Sequence, residues 1–408
     1  MRRLLALLFV ASVIPSMAQT ELRVTVDNFL RRERHDEPVV VPVSKYGDVR
    51  SAVVTCDGLE IPSQLDDLDR DGYYDELCFL VDFKGKGSKV YDVRLSSMDE
   101  QHQYAPRTYA QILLRNPKVK IKNQHDFFLT EISVPMRLKD PYHLLHHHGV
   151  AFENELTAMR IYFDKRQTID LYGKRNKQLE IERTQFYTDD TQKEQGFGDD
   201  VLWVGNTFGL GAFRGWDGTQ PVMLDDVDVR TQRIVSTGPL RTIVEAESRG
   251  WKVKDGFPRI KTTVRYTLYA GHRDADVDVF FSHDVSALDF STGVINVKNS
   301  SEYNDGKGMR GCWGTDWPTG EKDSVGHKRE TVGLAVYVPK EYIRKVCPVT
   351  KDNYGFVIGT DTRHLSYRIA CASDNETFGF HSSAEWFSFL KEWGRSLDSP
   401  LKVRVDRK

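Results

Sequence analysis

Beyond its first twenty residues the chain has no apolar run long enough to cross a bilayer, so membrane insertion is not expected. It also has no block of basic residues. Its 57 Lys and Arg against 59 Asp and Glu leave a net charge of −2, which excludes nucleic acid as a partner, because phosphate binding needs clustered positive charge. There is no HExxH helix motif, no internal repeat and no low-complexity tract. Cysteine is scarce: five residues, at 56, 78, 312, 347 and 371. An odd count leaves at least one thiol unpaired. Cys56 and Cys78 lie on neighbouring strand candidates, where either a disulfide or two buried free thiols would fit.

The first eighteen residues read as a signal peptide. Arg2 and Arg3 form a basic start, Leu4 to Ile14 a short apolar stretch, and Ser16-Met17-Ala18 a small-x-small cleavage site. No cysteine follows that could carry a lipid. The expectation is an exported protein, periplasmic or secreted. About 390 residues then remain, enough for one large and one small domain.

What is present is overwhelmingly β. PVVVPVS, SAVVTC, ELCFLVDF and KVYDVRLS are short β-branched runs separated by Gly, Asp and Ser, predicting a small β-sandwich over 19–97. The polar stretch over 98–110 reads as a linker. From 111 to 408 the pattern predicts a large antiparallel sandwich. Met159, Ile161 and Phe163 alternate with polar residues. Val264, Tyr266 and Leu268, then AGHRD, then Val277, Val279 and Phe281 make a hairpin with one wet face. One helix stands out near the end. Ser382 and Glu385 match a capping box, Trp386, Leu390, Trp393 and Leu397 form one apolar stripe, and Pro400 stops it. Core packing explains that stripe better than ligand stacking.

Two segments carry candidate chemistry. In QLDDLDRDGYYDEL, Asp67, Asp69 and Asp71 alternate ahead of Gly72, so three carboxylates can fold around one hard cation. The Tyr73 carbonyl and Asp75 are further ligands for a structural Ca²⁺. The alternative is an acidic turn whose Asp side chains bond nearby backbone amides. No organic cofactor is indicated.

The second segment, HLLHHHGVAFENELTAMRIYFD, holds four histidines and two glutamates within thirteen residues. Zinc is disfavoured, because consecutive histidines cannot all converge on one ion. A hydrogen-bonded loop is the bland reading for any single histidine. Acid–base work on a sugar is the sharper one, since imidazole titrates near neutrality and a carboxylate can set its tautomer. His147 or His148 would be the base or acid, Glu153 its orienting partner, and Arg160 and Tyr162 nearby catalytic groups. Asn154, Tyr187, Asp190, Arg310, Trp313 and Trp317 are substrate-binding candidates, with Asp189 and Asp316 as further acids. The two tryptophans of RGCWGTDWP, in an expected Gly-rich loop, would stack on sugar faces.

GVAFENELTAMRIYFDKRQTIDLYGKR, GPLRTIVEAESRGW and RYTLYAGHRDADVDVFFS resemble an uncharacterised family of secreted proteins from polysaccharide-degrading bacteria, a domain of unknown function similar in fold to galactose mutarotase. The resemblance covers about 110–405, and the acidic segment looks like the small β-domain that often precedes it. It implies a mutarotase-like β-supersandwich and an oligosaccharide or polysaccharide partner, of pectin or glycosaminoglycan type. His147 or His148 with Glu153 would echo a mutarotase His–Glu pair. Three activities are then compatible: a lyase or epimerase abstracting a proton from a uronate, a glycoside hydrolase with paired carboxylates, or a carbohydrate-binding protein without catalysis.

Overall fold

The structure is a computed structural model that describes residues 19–100, 102–118, 127–138, 141–298, 300–319 and 327–408; the signal peptide expected over 1–18 lies outside the described residues. It is mainly β, and every pairing between its regular strands is antiparallel among the described residues.

The small sandwich packs a five-stranded sheet on a three-stranded one. Alternation drives this. Leu22, Val24 and Val26 of the first strand point inward with Val39, Val41, Leu77, Phe79 and Val93, forming one apolar core. The sheet is completed from the far end of the chain: Lys402–Arg407 pairs with Gln19–Asn28, Asp27 opposite Lys402 and Leu22 opposite Arg407. Cys56 lies on the five-stranded sheet and Cys78 on the three-stranded one. All five cysteines are free thiols, so of the two readings open for Cys56 and Cys78 the unbridged one holds.

The larger unit begins with strand Thr108–Leu114, whose first three residues fall in the stretch expected to be linker. Its nine-stranded sheet runs Glu131–Pro135, Val229–Thr237, Arg241–Trp251, Ile260–Tyr269, Asp274–Phe281, His364–Ser373, Glu330–Tyr337, Met309–Asp316, Ser301–Asn304. A six-stranded sheet faces it, in the order Asp199–Asp200, Ile169–Gly173, Ala158–Tyr162, Gly149–Asn154, Thr108–Leu114, Phe127–Leu129. A five-stranded sheet around Phe290–Ile295 closes the side. Val150, Phe152, Met159 and Ile161 of the six-stranded sheet meet Val264, Tyr266, Val277 and Ile369 of the nine-stranded sheet in one core. Residues of opposite parity therefore point outward from both sheets.

Among the described residues three α-helices decorate this frame: α1 (Ile181–Thr184), α2 (Asp190–Glu194) and α3 (Ser383–Leu397). The first two are too short for a periodic apolar stripe and were not expected. Helix α3 is the one predicted. Ser382 Oγ accepts from the Glu385 amide, and Trp386 and Leu390 are fully buried against Met309, Ala335 and Ala370 on the outer face of the nine-stranded sheet. The small sandwich docks elsewhere on that face through Asp66, which is ion-paired to the buried Arg241 at 2.6 Å. Among the described residues no helix is long and apolar enough to cross a membrane.

Candidate active site on the outer face of the six-stranded sheet

Arg160 and Tyr162 are two apart on one strand, so they share its outer face. Asp170 stands directly opposite Arg160 on the next strand, and Asp200 lies opposite Tyr172 on the strand beyond. Sheet register therefore gathers four polar groups on one surface. Arg160 donates from Nε and Nη2 to Asp170 Oδ2 at 3.0 and 2.6 Å, and from Nη2 to Asp200 Oδ2 at 2.8 Å. Tyr162 Oη donates to the same Asp170 oxygen at 2.7 Å. The turn after α1 supplies the lid: the Arg160 guanidinium lies 4.3 Å from the Phe186 ring centroid, and its Nη1 donates to Tyr187 Oη at 3.1 Å.

Burial opposes the charge of Arg160, but Tyr162, Asp170 and Asp200 more than offset that and hold it ionised. One guanidinium charge cannot neutralise two carboxylates. Asp200, whose side chain is 20 % exposed against 0 % for Asp170, has its proton affinity raised well above the ordinary carboxylate value, first by burial and then by Asp170. The cluster thus presents one sealed acid, Asp170, and one partly exposed acid of raised proton affinity, Asp200.

The histidine loop borders this cluster. The His148 ring stacks on Tyr142, with centroids 3.8 Å apart and planes 4° from parallel, and lies edge-on to Tyr162 and Tyr187. Its Nδ1 donates to the Tyr142 carbonyl at 3.1 Å, since a carbonyl can only accept. That leaves the Nε2 lone pair as the basic atom. Burial, and then the Arg160 charge, lower its pKa to about 4, so the ring is neutral near pH 7. Arg166 covers the edge of the same patch, 4.8 Å from the ring centroids of both Tyr142 and Tyr162.

His147 is different. It is fully buried, and Gln111 Nε2 donates to its Nε2 at 3.2 Å, so its proton sits on Nδ1 inside the protein. Desolvation depresses its pKa well below 6.5. His146 is half-buried, edge-on to Tyr187 at 5.5 Å. Glu153 is sealed as well. It pairs with Lys174 at 2.5 Å and accepts from the amides of Glu180 and Ile181, anchoring the start of α1. It does not touch His147, so the expected orienting role belongs to Gln111 instead. Asn154 points to the opposite side, where its Nδ2 donates to the carbonyls of Tyr269 and His272.

The remaining candidates lie apart. Asp189 caps α2 through the Gln192 amide, and Asp190 is that helix's exposed first residue. RGCWGTDWP is not a loop but mostly strand, Met309–Asp316, and its alternation separates its residues. Arg310 is buried, donating to Glu302 and to the carbonyls of Cys347 and Gly355. Trp313 packs beneath α3 with Trp386. Trp317 and Asp316 border a small hollow with Val201, Leu202 and Trp203, the segment that continues from Asp200. The structure thus brings together His148, Arg160, Tyr162 and Tyr187, and leaves Trp313 and Trp317 outside that cluster. It adds Tyr142, Arg166, Asp170, Phe186 and Asp200, which the sequence reading missed. The hairpin spacing of Arg160 and Asp170 was a usable signal; nothing local announces Asp200.

Backbone strain concentrates here. Of seven non-glycine residues with positive φ among the described residues, four border this cluster: His148, Gln167, Gln185 and Phe186. Such conformations persist where surrounding structure imposes them, and they cluster at functional sites.

In the acidic loop, Asp67, Asp69 and Asp71 each bring a carboxylate oxygen within 4.8 Å of the others. Asp67 also accepts from the amides of Arg70 and Gly72, and Asp71 from that of Tyr73, the bonds to backbone amides that the acidic-turn reading expects. Asp75 is turned back onto the Leu68 amide at 2.7 Å.

Residues 26–403 match the family model described as domain of unknown function (DUF4861). The chain belongs to that family. No curated protein is significantly similar. Among solved structures, the family member is similar to an alpha-mannosidase from Enterococcus faecalis V583, with 9% identity, a TM-score of 0.48, and coverage of 95% of this chain and 46% of that one. A glycosyl hydrolase family 38 protein from Enterococcus faecalis gives 9% identity, a TM-score of 0.45 and coverage of 95% and 47%. The chain spans about half the length of these structures. Similarity at this level says nothing about residues or reaction.

Proposed function

We propose that this protein acts on uronic-acid-containing oligosaccharides by abstracting the proton at C5, as a lyase or epimerase, on the outer face of the six-stranded sheet. The observation that carries the reading is the pairing of a neutral imidazole, His148, whose basic Nε2 is left over after Nδ1 is used, with the Arg160–Asp170–Asp200 cluster beside it. His148 Nε2 takes the C5 proton. Arg166, which also pairs with Asp164, and Arg160 offer N–H donors to the substrate carboxylate, and these hydrogen bonds make that proton acidic. An anionic substrate also raises the proton affinity of His148 above its value in the free protein. In the lyase form the C5–H pair becomes the C4–C5 double bond, the C4–O bond breaks, and Asp200, protonated, gives its proton to the leaving oxygen. In the epimerase form Tyr162 or Asp200 returns a proton to the opposite face of C5. Glu153 and His147 are positioning residues: Glu153 holds α1 and hence Phe186 and Tyr187, and His147 fills the space beneath Phe186.

The resemblance of the sequence to a mutarotase-like family of exported proteins supports a sugar substrate met outside the cytoplasm. One Ca²⁺ held by Asp67, Asp69 and Asp71 belongs to the same proposal, as a staple that neutralises the acidic turn.

The test is to incubate the protein with pectic and glycosaminoglycan oligosaccharides, following absorbance of the 4,5-unsaturated uronate together with product mass and NMR. New absorbance supports the lyase, and inverted C5 stereochemistry at unchanged mass supports the epimerase. Product gaining one water assigns a hydrolase instead. Saturable binding with unaltered sugar assigns a binding protein. Either of the last two overturns the proposal.

A further inference from the structure

On the other side of the sandwich, the outer face of the nine-stranded sheet is covered at one end by α3 and elsewhere by the small sandwich. Between them is a trough of about 750 Å³, within the range of small-molecule sites, which favour such junctions. Its floor is a row across the sheet, Asp276 opposite Arg368 opposite Tyr337. Phe389 and Trp393 of α3 form one wall, with ring planes 8° from parallel. Arg34 and Glu37 of the small sandwich stand on the other side.

The charges around the trough are mostly spoken for. Arg34 pairs with Glu37 at 2.8 Å, Arg32 with Glu392 at 2.9 Å, and His272 with Asp274 at 3.1 Å. The pair on the floor is not saturated. Arg368 Nε reaches Asp276 Oδ1 at 2.8 Å, and its Nη1 is 3.6 Å from Asp274. Asp276 Oδ2 and Arg368 Nη2 make no hydrogen bond to protein among the described residues, and both residues line the trough. Trp393, 6 % exposed, turns its indole N–H towards Asp274, where with His272 it helps hold that carboxyl below the usual carboxylate range.

We propose that this trough is a second saccharide site, separate from the reaction face, which binds a neutral pyranose. The chemistry is complementary. A pyranose has an apolar face that packs on aromatic rings, and adjacent hydroxyls that can donate to Asp276 Oδ2 while accepting from Arg368. Because the surrounding charges are paired off against each other, no net positive field remains to favour a uronate. The site lies across the sandwich core from Arg160, so occupancy holds a polysaccharide near the protein without entering the reaction face.

The experiment titrates full-length protein with methyl α-L-rhamnopyranoside, methyl β-D-galactopyranoside and D-glucuronate to about 50 mM, following Trp indole N–H resonances by NMR. A small ligand with few contacts should bind with Kd of about 1 mM. At least one neutral glycoside should shift the Trp393 resonance, assigned by its loss in Trp393→Phe. Asp276→Asn and Arg368→Met should each weaken binding roughly tenfold or more, as expected for hydrogen bonds to charged groups. His148→Ala should leave it unchanged, which separates this site from the reaction proposed above. Absence of saturable binding, binding indifferent to Asp276→Asn and Arg368→Met in folded protein, or a preference for glucuronate would each overturn the assignment.

Discussion

Arg160 and Asp170 stand directly opposite each other on neighbouring strands, and their side chains meet at 2.6 Å with exposures of only 4% and 0%. Breaking such a pair leaves an uncompensated charge in a low-dielectric site. Asp170→Ala should therefore destabilise the protein by about 3–5 kcal/mol, read from chemical denaturation midpoints. A loss below about 1 kcal/mol would show that Asp200 and Tyr187 alone can stabilise the guanidinium.

The neighbouring histidines should separate stability from activity. His147 is fully buried, so His147→Ala should cost about 2–4 kcal/mol through the cavity it leaves. His148 is half-buried, and His148→Ala should change stability by about 1 kcal/mol or less while lowering kcat by about 10²–10⁴-fold, the usual range for a general base. Full turnover in purified His148→Ala would remove that residue from the reaction.

Two histidines predict opposite pH dependences of stability. The pKa of His148 is lowered to about 4 from 6.5, chiefly by burial, so the unfolded chain takes up its proton first as pH falls. Its contribution is fully present above 6.5 and is lost as pH drops from 6.5 towards 4. For His272, burial opposes the charge, but Asp274 more than offsets this and the pKa rises to about 9. Its contribution is complete below 6.5 and is lost as pH climbs from 6.5 to 9. Denaturation midpoints across pH 4–9 should show a flatter acid limb in His148→Gln and a flatter alkaline limb in His272→Gln, each relative to the parent protein. Parallel curves for parent and variant would contradict the corresponding assignment.

Calcium should act as a staple. With free Ca²⁺ at about 100 times Kd, linkage adds about 2.7 kcal/mol, so chelation should lower Tm measurably. Asp67→Asn should reduce that response, because Asp67 both faces the other two carboxylates and orders the turn amides. A Tm indifferent to chelator and to added Ca²⁺ would leave the loop as an acidic turn.

The parts of this molecule legible in its sequence are those set by near neighbours. The hairpin joining Ile260–Tyr269 to Asp274–Phe281 follows from strict alternation around AGHRD, because the side-chain period of two leaves one register that buries Val264, Val277 and Val279 together. Helix α3 follows from a cap and a stripe within sixteen residues. That Glu153 and Asn154 face opposite sides of their strand follows from parity alone. What escaped was non-local. The small sandwich closes with strand Lys402–Arg407, far away in sequence, and the segment around Trp313 became a central strand instead of a loop because neighbours on both sides pair with it.

The candidate site shows the same division. Residue types and alternation are local, so the histidine-rich segment and the face shared by Arg160 and Tyr162 could be read directly. Which histidine is sealed and which keeps a usable nitrogen depends on Gln111, Tyr142 and Phe186, brought in by other strands and by a turn. Asp200 reaches Arg160 only through a strand forty residues on. Burial and charge coupling are properties of packed neighbours, so the chemical character of His148 and Asp200 arises from the tertiary structure.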